Sequence, residues 1–207
     1  MVSGQAQREA ATAIAPLLEL AVVHREAGRL SQALPLIVRA TELAPHAVEP
    51  KLALADLLAV QGDDQEAAAQ YQSIWKKSSR AAHHYGEFIL ARGDAELARE
   101  VLDRAADDVL YAARVDVLLL RAEAAHRLGD WPAAEVDLQK VSRMHDSIPV
   151  TLQMIRVQIA RGRYAEALAL YATVEEQHPT HPMLEVVGPE IRALRARLAI
   201  LKPRFGS

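Results

Sequence analysis

Apolar residues recur at spacings of three and four along most of the chain, which is the period of an amphipathic helix. In the first such segment, Leu17, Leu20, Ala21 and His24 share one predicted helical face, and the segment ends at Gly28. A glycine in this place is typical of a helix C-terminus. A second apolar stripe follows the glycine, so the pattern predicts two helices joined by a short turn.

The same pattern returns four more times, and each copy is marked by a loop glycine that an alanine follows five residues later. The five pairs are Gly28/Ala33, Gly62/Ala67, Gly93/Ala98, Gly129/Ala134 and Gly162/Ala167. Successive glycines are separated by 34, 31, 36 and 33 residues. A period of about 34 predicts a stack of helical hairpins, because a single hairpin cannot bury its apolar face alone.

These intervals divide the chain into three predicted regions. Residues 1–13 form a lead-in that is partly flexible or a helical extension, residues 14–181 hold five repeats, and residues 182–207 form a C-terminal capping helix and tail. We expect the repeats at about 14–47, 48–78, 79–114, 115–147 and 148–181. A last helix that buries one stripe and exposes charge is what the end of an open stack requires.

Prolines and capping residues predict where individual helices begin and end. We expect Pro16 in a first helical turn and Ser31 as the N-cap of the second helix. Asp108 is expected to cap a longer helix that follows it. The pair Gly188-Pro189 is expected to interrupt the pattern, so that the last helix spans Glu190–Lys202.

The repeat resembles that of the tetratricopeptide-repeat (TPR) family over residues 14–181. That family has a helix-turn-helix of about 34 residues with a small residue in its first helix, a glycine at the turn and an alanine five residues later. This chain has the alanine in all five copies. It has the small residue in four copies, as Ala21, Ala55, Gly86 and Ala122, whereas Ile155 departs. The aromatic residue two positions after the glycine occurs only as Trp131 and Tyr164.

The resemblance implies an all-α fold, namely a right-handed α-solenoid of about five TPR helix-turn-helix units with a C-terminal capping helix. It also implies a concave groove lined mainly by the first helix of each unit. Positions on those helices that lie off the packed stripe are therefore candidate partner-binding residues. They are Leu18, Glu19, Val22, Arg25, Leu52, Asp56, Arg80, His83, His84, Glu87, Leu119, Glu123, His126, Arg127, Leu152, Arg156 and Ile159.

Apolar residues among carboxylates in this set suggest a protein or peptide partner that is apolar and partly basic, such as an amphipathic helix. The alternative is that several of the leucines are ordinary helix-packing residues. The family's carboxylate clamp, which holds acidic chaperone tails, is not expected here. The matching places hold Leu18, Val22, Ala53, Arg80 and His84, and only Arg80 suits that mode.

Composition narrows the function further. The net charge is −3 and the basic residues are dispersed, which argues against a nucleic-acid partner. No apolar run approaches the roughly 18–20 residues that a membrane-spanning helix needs, so membrane insertion is not expected. The chain has no cysteine, which removes disulfides and thiolate chemistry and fits a reducing compartment. The expected location is cytoplasmic, or exported if the chain lacks its native N-terminus.

Motifs that would indicate catalysis are missing from the sequence: it has no P-loop, no G-x-G-x-x-G and no G-x-S-x-G. The close histidine pairs, His83-His84 and His178-x-x-His181, belong to no strong metal signature, and the second pair lacks a third ligand nearby. We therefore expect no catalytic residue, no cofactor and no metal site.

The sequence thus favours a non-enzymatic scaffold or adaptor that binds a partner segment in the concave groove. One alternative is that the chain is the TPR portion of a larger secretion, envelope-assembly or transferase protein, whose activity lies outside it. Another is self-association through the Arg-rich last helix or an exposed end of the stack. The partner, the pathway and the oligomeric state are left open by the sequence.

Overall fold

The computed structural model describes residues 4–145 and 147–201, and in these ranges all regular structure is helical. The helices are α1 (Gly4–Glu26), α2 (Leu30–Leu43), α3 (Val48–Gln61), α4 (Asp64–Ile74), α5 (Ser79–Ala91), α6 (Ala95–Ala106), α7 (Val109–Ala112), α8 (Val115–Arg127), α9 (Trp131–Met144), α10 (Ile148–Ala160), α11 (Tyr164–Gln177) and α12 (Met183–Leu201). A 3₁₀ turn, Trp75–Lys77, links α4 to α5. The expected all-α fold is confirmed. No helix in the described ranges combines the length and apolar character needed to cross a bilayer.

The described residues fall into two compact units, one up to Leu120 and one from Arg121 onward. In the first unit, α1 packs on α2, α3 on α4 and α5 on α6, and α2 also packs on α3. In the second unit, α10 packs on both α9 and α11, and α12 packs on α11. Each unit is therefore built from consecutive helices that lie against their neighbours in sequence, as the hairpin pattern predicts.

The turns show why a glycine recurs at this spacing. All five loop glycines have a positive φ, between +71° and +94°, a region that other residues enter only at a cost. At four of them the next residue donates its backbone N–H to the carbonyl five residues back, as Arg29 does to His24 at 2.8 Å. This bond satisfies a carbonyl that the end of the helix would otherwise leave unpaired.

The alanine of the repeat is a packing residue. It is completely buried in all five copies, at Ala33, Ala67, Ala98, Ala134 and Ala167. A methyl group at this position lets the two helices of a hairpin approach closely. In the second unit the core continues into α12, because Leu184, Val187 and Ile191 pack in one cluster with Tyr171 and Val174.

Two proline predictions are wrong. Pro16 lies well inside α1, because that helix already begins at Gly4. Gly188 and Pro189 also lie inside a helix, since α12 runs without interruption from Met183. Buried apolar residues on both sides of Pro189 pack against the preceding helix, and this tertiary packing outweighs the one backbone hydrogen bond that a proline removes. Lys202, the expected end of the last helix, lies outside the described residues.

The capping predictions are confirmed in part. Asp108 accepts a hydrogen bond from the backbone N–H of Leu110 at 2.9 Å, but the helix that it caps, α7, has only four residues. Ser31 is not a cap, because α2 begins one residue earlier and its N-cap is Arg29.

Leu20 does not share the buried face of α1, since nearly half of its surface is exposed.

Candidate functional site

Asp56, on α3, is the centre of a polar network that joins four helices of the first unit. Its Oδ1 accepts a hydrogen bond from the hydroxyl of Tyr71 on α4 at 2.7 Å. The same oxygen lies 3.1 Å from Nδ1 of His84 on α5. Its Oδ2 lies 3.6 Å from the guanidinium of Arg25 on α1. The first helices of three successive hairpins are thus linked through one carboxylate.

The surroundings of Asp56 favour its charged form. Burial acts to raise the pKa of this carboxyl, but hydrogen bonds from His84 and Tyr71, together with the charges of His84 and Arg25, outweigh burial and lower the pKa below its ordinary value. Burial and the adjacent carboxylate raise the pKa of the Tyr71 hydroxyl. Tyr71 therefore stays protonated and donates to Asp56 at any physiological pH.

Two cavities adjoin at this network. One has a volume of about 270 Å³, the other about 380 Å³, and both are lined by Arg25, Asp56 and His84. We call the two together the Asp56 groove. The smaller cavity also has an apolar lining from Leu18 and Val22. The groove contains these residues of the sequence-predicted set: Leu18, Glu19, Val22, Arg25, Leu52, Asp56, Arg80, His84 and Glu87.

Several charged side chains of the Asp56 groove are not engaged within the protein. Glu19 and Glu49 line the smaller cavity and Glu87 lines the larger one, and all three are exposed. Within the described residues, none of these carboxylates makes a hydrogen bond or an ion pair, and neither does Arg80. Three carboxylates and one guanidinium are therefore available to a bound partner, whereas Asp56 and Arg25 already neutralise each other.

Two predicted residues of the first unit lie outside this groove. His83 is buried on α5, with its Nε2 3.7 Å from Oδ2 of Asp116 and its ring 6.2 Å from that of Tyr111. Burial lowers the pKa of His83, although the charge of Asp116 acts in the opposite direction. Arg114 donates to Asp116 and holds the pKa of that carboxyl at about 2. Leu119, on α8, is half-buried.

The predicted residues of the second unit mostly contact other parts of that unit. Glu123 accepts from Arg127 one turn later at 2.8 Å, and the ring of His126 lies 4.9 Å from that of Trp131. The remaining three residues lie on α10. Leu152 belongs to the hydrophobic core, Ile159 packs against that core, and Arg156 lies 3.5 Å from Glu190 of α12.

A buried carboxylate that the sequence analysis did not single out lies in the second unit. Glu135, on α9, accepts hydrogen bonds from Gln158 at 2.9 Å and from Arg163 at 3.0 Å. Arg161 also pairs with it. These partners belong to the next helix and to the turn after it, so the cluster fastens α9 to the following hairpin. With its charge compensated in this way, Glu135 is a structural residue.

Three further residues of the Asp56 groove are absent from the sequence-predicted set. Tyr71, Phe88 and Arg92 all line the larger cavity. The guanidinium of Arg92 lies 3.6 Å from the ring centre of Phe88 and pairs with Asp64. Among the described residues, no group of three or more histidine, aspartate or glutamate side chains is placed to hold a metal ion.

Comparison with known proteins agrees with this architecture. A family profile described as tetratricopeptide repeat matches residues 18–83, and a second profile of the same description matches residues 79–104, 115–136 and 149–173. A search of curated protein sequences found no match.

Three solved structures share the fold. The pilF protein of Pseudomonas aeruginosa superposes with a TM-score of 0.72 at 18% identity, covering 95% of each chain. YrrB, described as a TPR protein with an unusual peptide-binding site, has a TM-score of 0.71 at 16% identity and covers 85% of this chain and 91% of its own. PilW, described as a widely conserved type IV pilus biogenesis factor, has a TM-score of 0.70 at 16% identity, covering 90% and 92%.

Identities this low indicate a common fold and carry no information about a common partner. The two family profiles, in contrast, match the sequence itself and extend from the first hairpin to the last. They agree with the five left-handed turn glycines and the five buried alanines. The chain therefore belongs to the tetratricopeptide repeat family.

Proposed function

We propose that the chain is a non-enzymatic interaction scaffold that binds an extended or helical protein segment in the Asp56 groove. The observation that carries this proposal is the pair of cavities that share Arg25, Asp56 and His84, because together they follow the first helices of three successive hairpins. Proteins of this family bind protein or peptide partners, and a concave surface of this kind is where a repeat protein offers its largest contact.

The Asp56 network makes the groove a suitable binding surface. Its hydrogen bond to His84 and its ion pair with Arg25 fix the relative positions of α1, α3 and α5, so a partner meets a preformed site and loses little ordering entropy on binding. The aromatic rings beneath it are also fixed, since Tyr71 stacks on Tyr85 with ring centres 5.4 Å apart. Aromatic rings held in fixed positions favour binding of a segment with a complementary shape.

The lining chemistry indicates the occupant. Leu18, Val22 and Ala53 offer apolar contact, and the unpaired carboxylates Glu19 and Glu49 lie beside them in the same cavity. We infer a partner segment with apolar residues and with lysine or arginine placed to meet these carboxylates. This is the apolar and partly basic partner that the sequence suggests.

A random-peptide library selected on the purified chain tests the proposal. Selected peptides should be enriched in apolar residues interspersed with lysine or arginine, and fluorescence anisotropy should give their affinities. Val22→Lys, in the wall of the smaller cavity, should weaken binding at least about tenfold, because it removes apolar contact surface and repels the lysine or arginine of the partner. Replacing Glu19, Glu49 and Glu87 by glutamine should reduce both the affinity and its dependence on salt.

Val136→Lys is the matched control, since Val136 is also an exposed valine on a helix but lies on α9. It should leave peptide affinity unchanged. Peptides that bind Val22→Lys as well as they bind wild type would contradict the groove assignment. A selection dominated by acidic peptides would contradict the inferred partner.

The finer sequence predictions remain proposals. We propose that the five repeats have the bounds given above and that the chain acts in the cytoplasm, which fractionation of cells that express the native gene would test. The alternative, a TPR portion of a larger secretion, envelope-assembly or transferase protein, predicts a native reading frame that encodes a further domain. Sequencing the native transcript distinguishes the two.

A further inference from the structure

One side of α1 carries an apolar stripe that the chain leaves exposed. Pro16, Leu20 and Val23 lie on this stripe at helical spacing, and Ala13 and Ala27 continue it by one turn at each end. Leu20 is 46% exposed and Val23 is 55% exposed, although both are large apolar residues. No charged residue falls on any of these five positions. We call this surface the α1 outer face.

The later repeats show how residues at equivalent positions are packed. Val23 lies five residues before its loop glycine, and the residues at this position in the four later copies are all buried. They are Leu57 (0% exposed), Phe88 (8%), Ala124 (0%) and Val157 (1%). Pro16 lies twelve residues before its glycine, and its counterparts Pro50, Ala81, Val117 and Val150 are buried as well. Only the first copy exposes these positions.

The second hairpin shows which contact buries them. Leu57 of α3 lies in one core cluster with Ala21, Ala33 and Ile37 of the preceding hairpin. Leu54, the counterpart of Leu20, packs against the same cluster. The equivalent positions are therefore the face on which one hairpin stacks onto the hairpin before it. On the first hairpin, no element within the described residues covers that face.

The opposite end of the chain is different. There α12 covers the last hairpin, because its Leu184, Val187 and Ile191 pack into the core cluster of α10 and α11. Two copies of the chain could not stack head to tail without displacing α12. An isologous contact, in which the same face of each copy meets its equivalent, needs no such displacement.

We propose that the α1 outer face is a self-association surface, on which a second copy of this chain docks with the same face about a two-fold axis. The stripe spans about 21 Å of helix from Ala13 to Ala27. A contact of this length on one helix per copy lies at the small end of specific interfaces, so we expect a weak and reversible dimer. This surface is independent of the Asp56 groove.

Sedimentation velocity on the full chain, from about 1 μM to about 1 mM, tests the proposal. Wild type should shift from monomer to dimer as concentration rises. Leu20→Glu with Val23→Glu should remain monomeric throughout, because like charges would meet across the axis. Leu43→Glu with Val60→Glu is the matched control, since both residues are exposed and apolar but lie elsewhere, and it should dimerise like wild type.

Charge pairing distinguishes a two-fold contact from any other. Leu20→Glu and Leu20→Lys should each be monomeric alone, whereas a mixture of the two should form a heterodimer, because Leu20 is the middle residue of the stripe and lies nearest to its equivalent at the axis. Circular dichroism should show the same helicity for all variants. A wild-type chain that is monomeric across the whole range would overturn the proposal and leave the face to a helical segment of another polypeptide. Dimerisation that survives the double glutamate variant would overturn it as well.

Discussion

Gly86, on α5, lies directly against a buried side chain of α6. Replacing it tests how closely the two helices of a hairpin pack. It lies in α5, where the other repeats have alanine or isoleucine. A Cβ atom built on Gly86 would lie 2.5 Å from both Cγ and Cδ2 of Leu102 on α6. Leu102 is completely buried, so it cannot swing away into solvent.

The expected cost of Gly86→Ala follows from two opposing effects. Alanine is favoured over glycine inside a helix by about 0.8–1.0 kcal/mol. Overpacking a filled core costs about 1–3 kcal/mol, and the upper end applies here because Leu102 has no free space to move into. We therefore expect the free energy of unfolding to fall by about 2 kcal/mol. On helix propensity alone, the same substitution would stabilise the protein.

A double-mutant cycle with Leu102→Ala separates the two effects. Leu102→Ala alone should destabilise strongly, because it removes a fully buried side chain. In that background the contacts with Cγ and Cδ2 are gone, so Gly86→Ala should raise the free energy of unfolding by about 1 kcal/mol. Urea unfolding followed by circular dichroism measures all four proteins. A substitution that stabilises the wild-type chain, or has the same effect in both backgrounds, would refute the packing argument.

Two further predictions concern the polar network and the turns. The pKa of Asp56 is lower in the folded protein than in the unfolded chain, so the unfolded chain binds a proton first as the pH falls. The stabilisation of the fold by this carboxylate is therefore complete above its ordinary pKa of 3.8. It is lost as the pH drops through the lower pKa of the folded protein. The difference in melting temperature between wild type and Asp56→Asn should therefore shrink as the pH is lowered into the acid range, and a difference that stays constant with pH would contradict this. Gly129 has a φ of +74° and open space around its Cα, so Gly129→Ala should cost about 1–2 kcal/mol through backbone strain alone, and Gly129→Asn should recover part of that loss in thermal unfolding. Equal melting temperatures for the glycine and alanine proteins would show that the turn is not held in the left-handed region.

The helical hairpins could be predicted from the sequence because their signals are local. A glycine that must adopt a positive φ and an alanine that must fit between two helices leave a pattern that recurs in every copy. The extent of α12 could not be predicted in this way. Gly188-Pro189 is a strong local signal for a break, and it is overruled by contacts with α11 that no local pattern reveals.

The candidate site was predictable to a similar, limited degree. The choice of first-helix positions off the packed stripe includes Arg25, Asp56 and His84, which the structure brings together. It could not reveal that Tyr71 also contributes, because its ring is a core residue and only its hydroxyl reaches the groove. Nor could it separate Leu152, which lies in the core, from Leu18, which lines a cavity.

Polar contacts between successive hairpins follow a spacing of 28 residues, which the apolar pattern alone does not predict. Asp56 and His84, Asp64 and Arg92, and Glu135 and Arg163 are polar pairs that join successive hairpins, and each pair is 28 residues apart. Counted from the loop glycine of its own repeat, the second residue of each pair lies three to five residues earlier than the first.

The distinction between such pairs and unpaired charges decides which residues can recognise a partner. Asp56 is already engaged by Arg25, Tyr71 and His84, so its role is to hold three helices in place. A bound segment would have to break that network to use its charge, and breaking a partly buried ion pair costs more than an exposed one. The unpaired carboxylates at the rim carry no such cost. Specificity for a partner should therefore reside in Glu19, Glu49 and Glu87, while the Asp56 network sets the geometry in which they are presented.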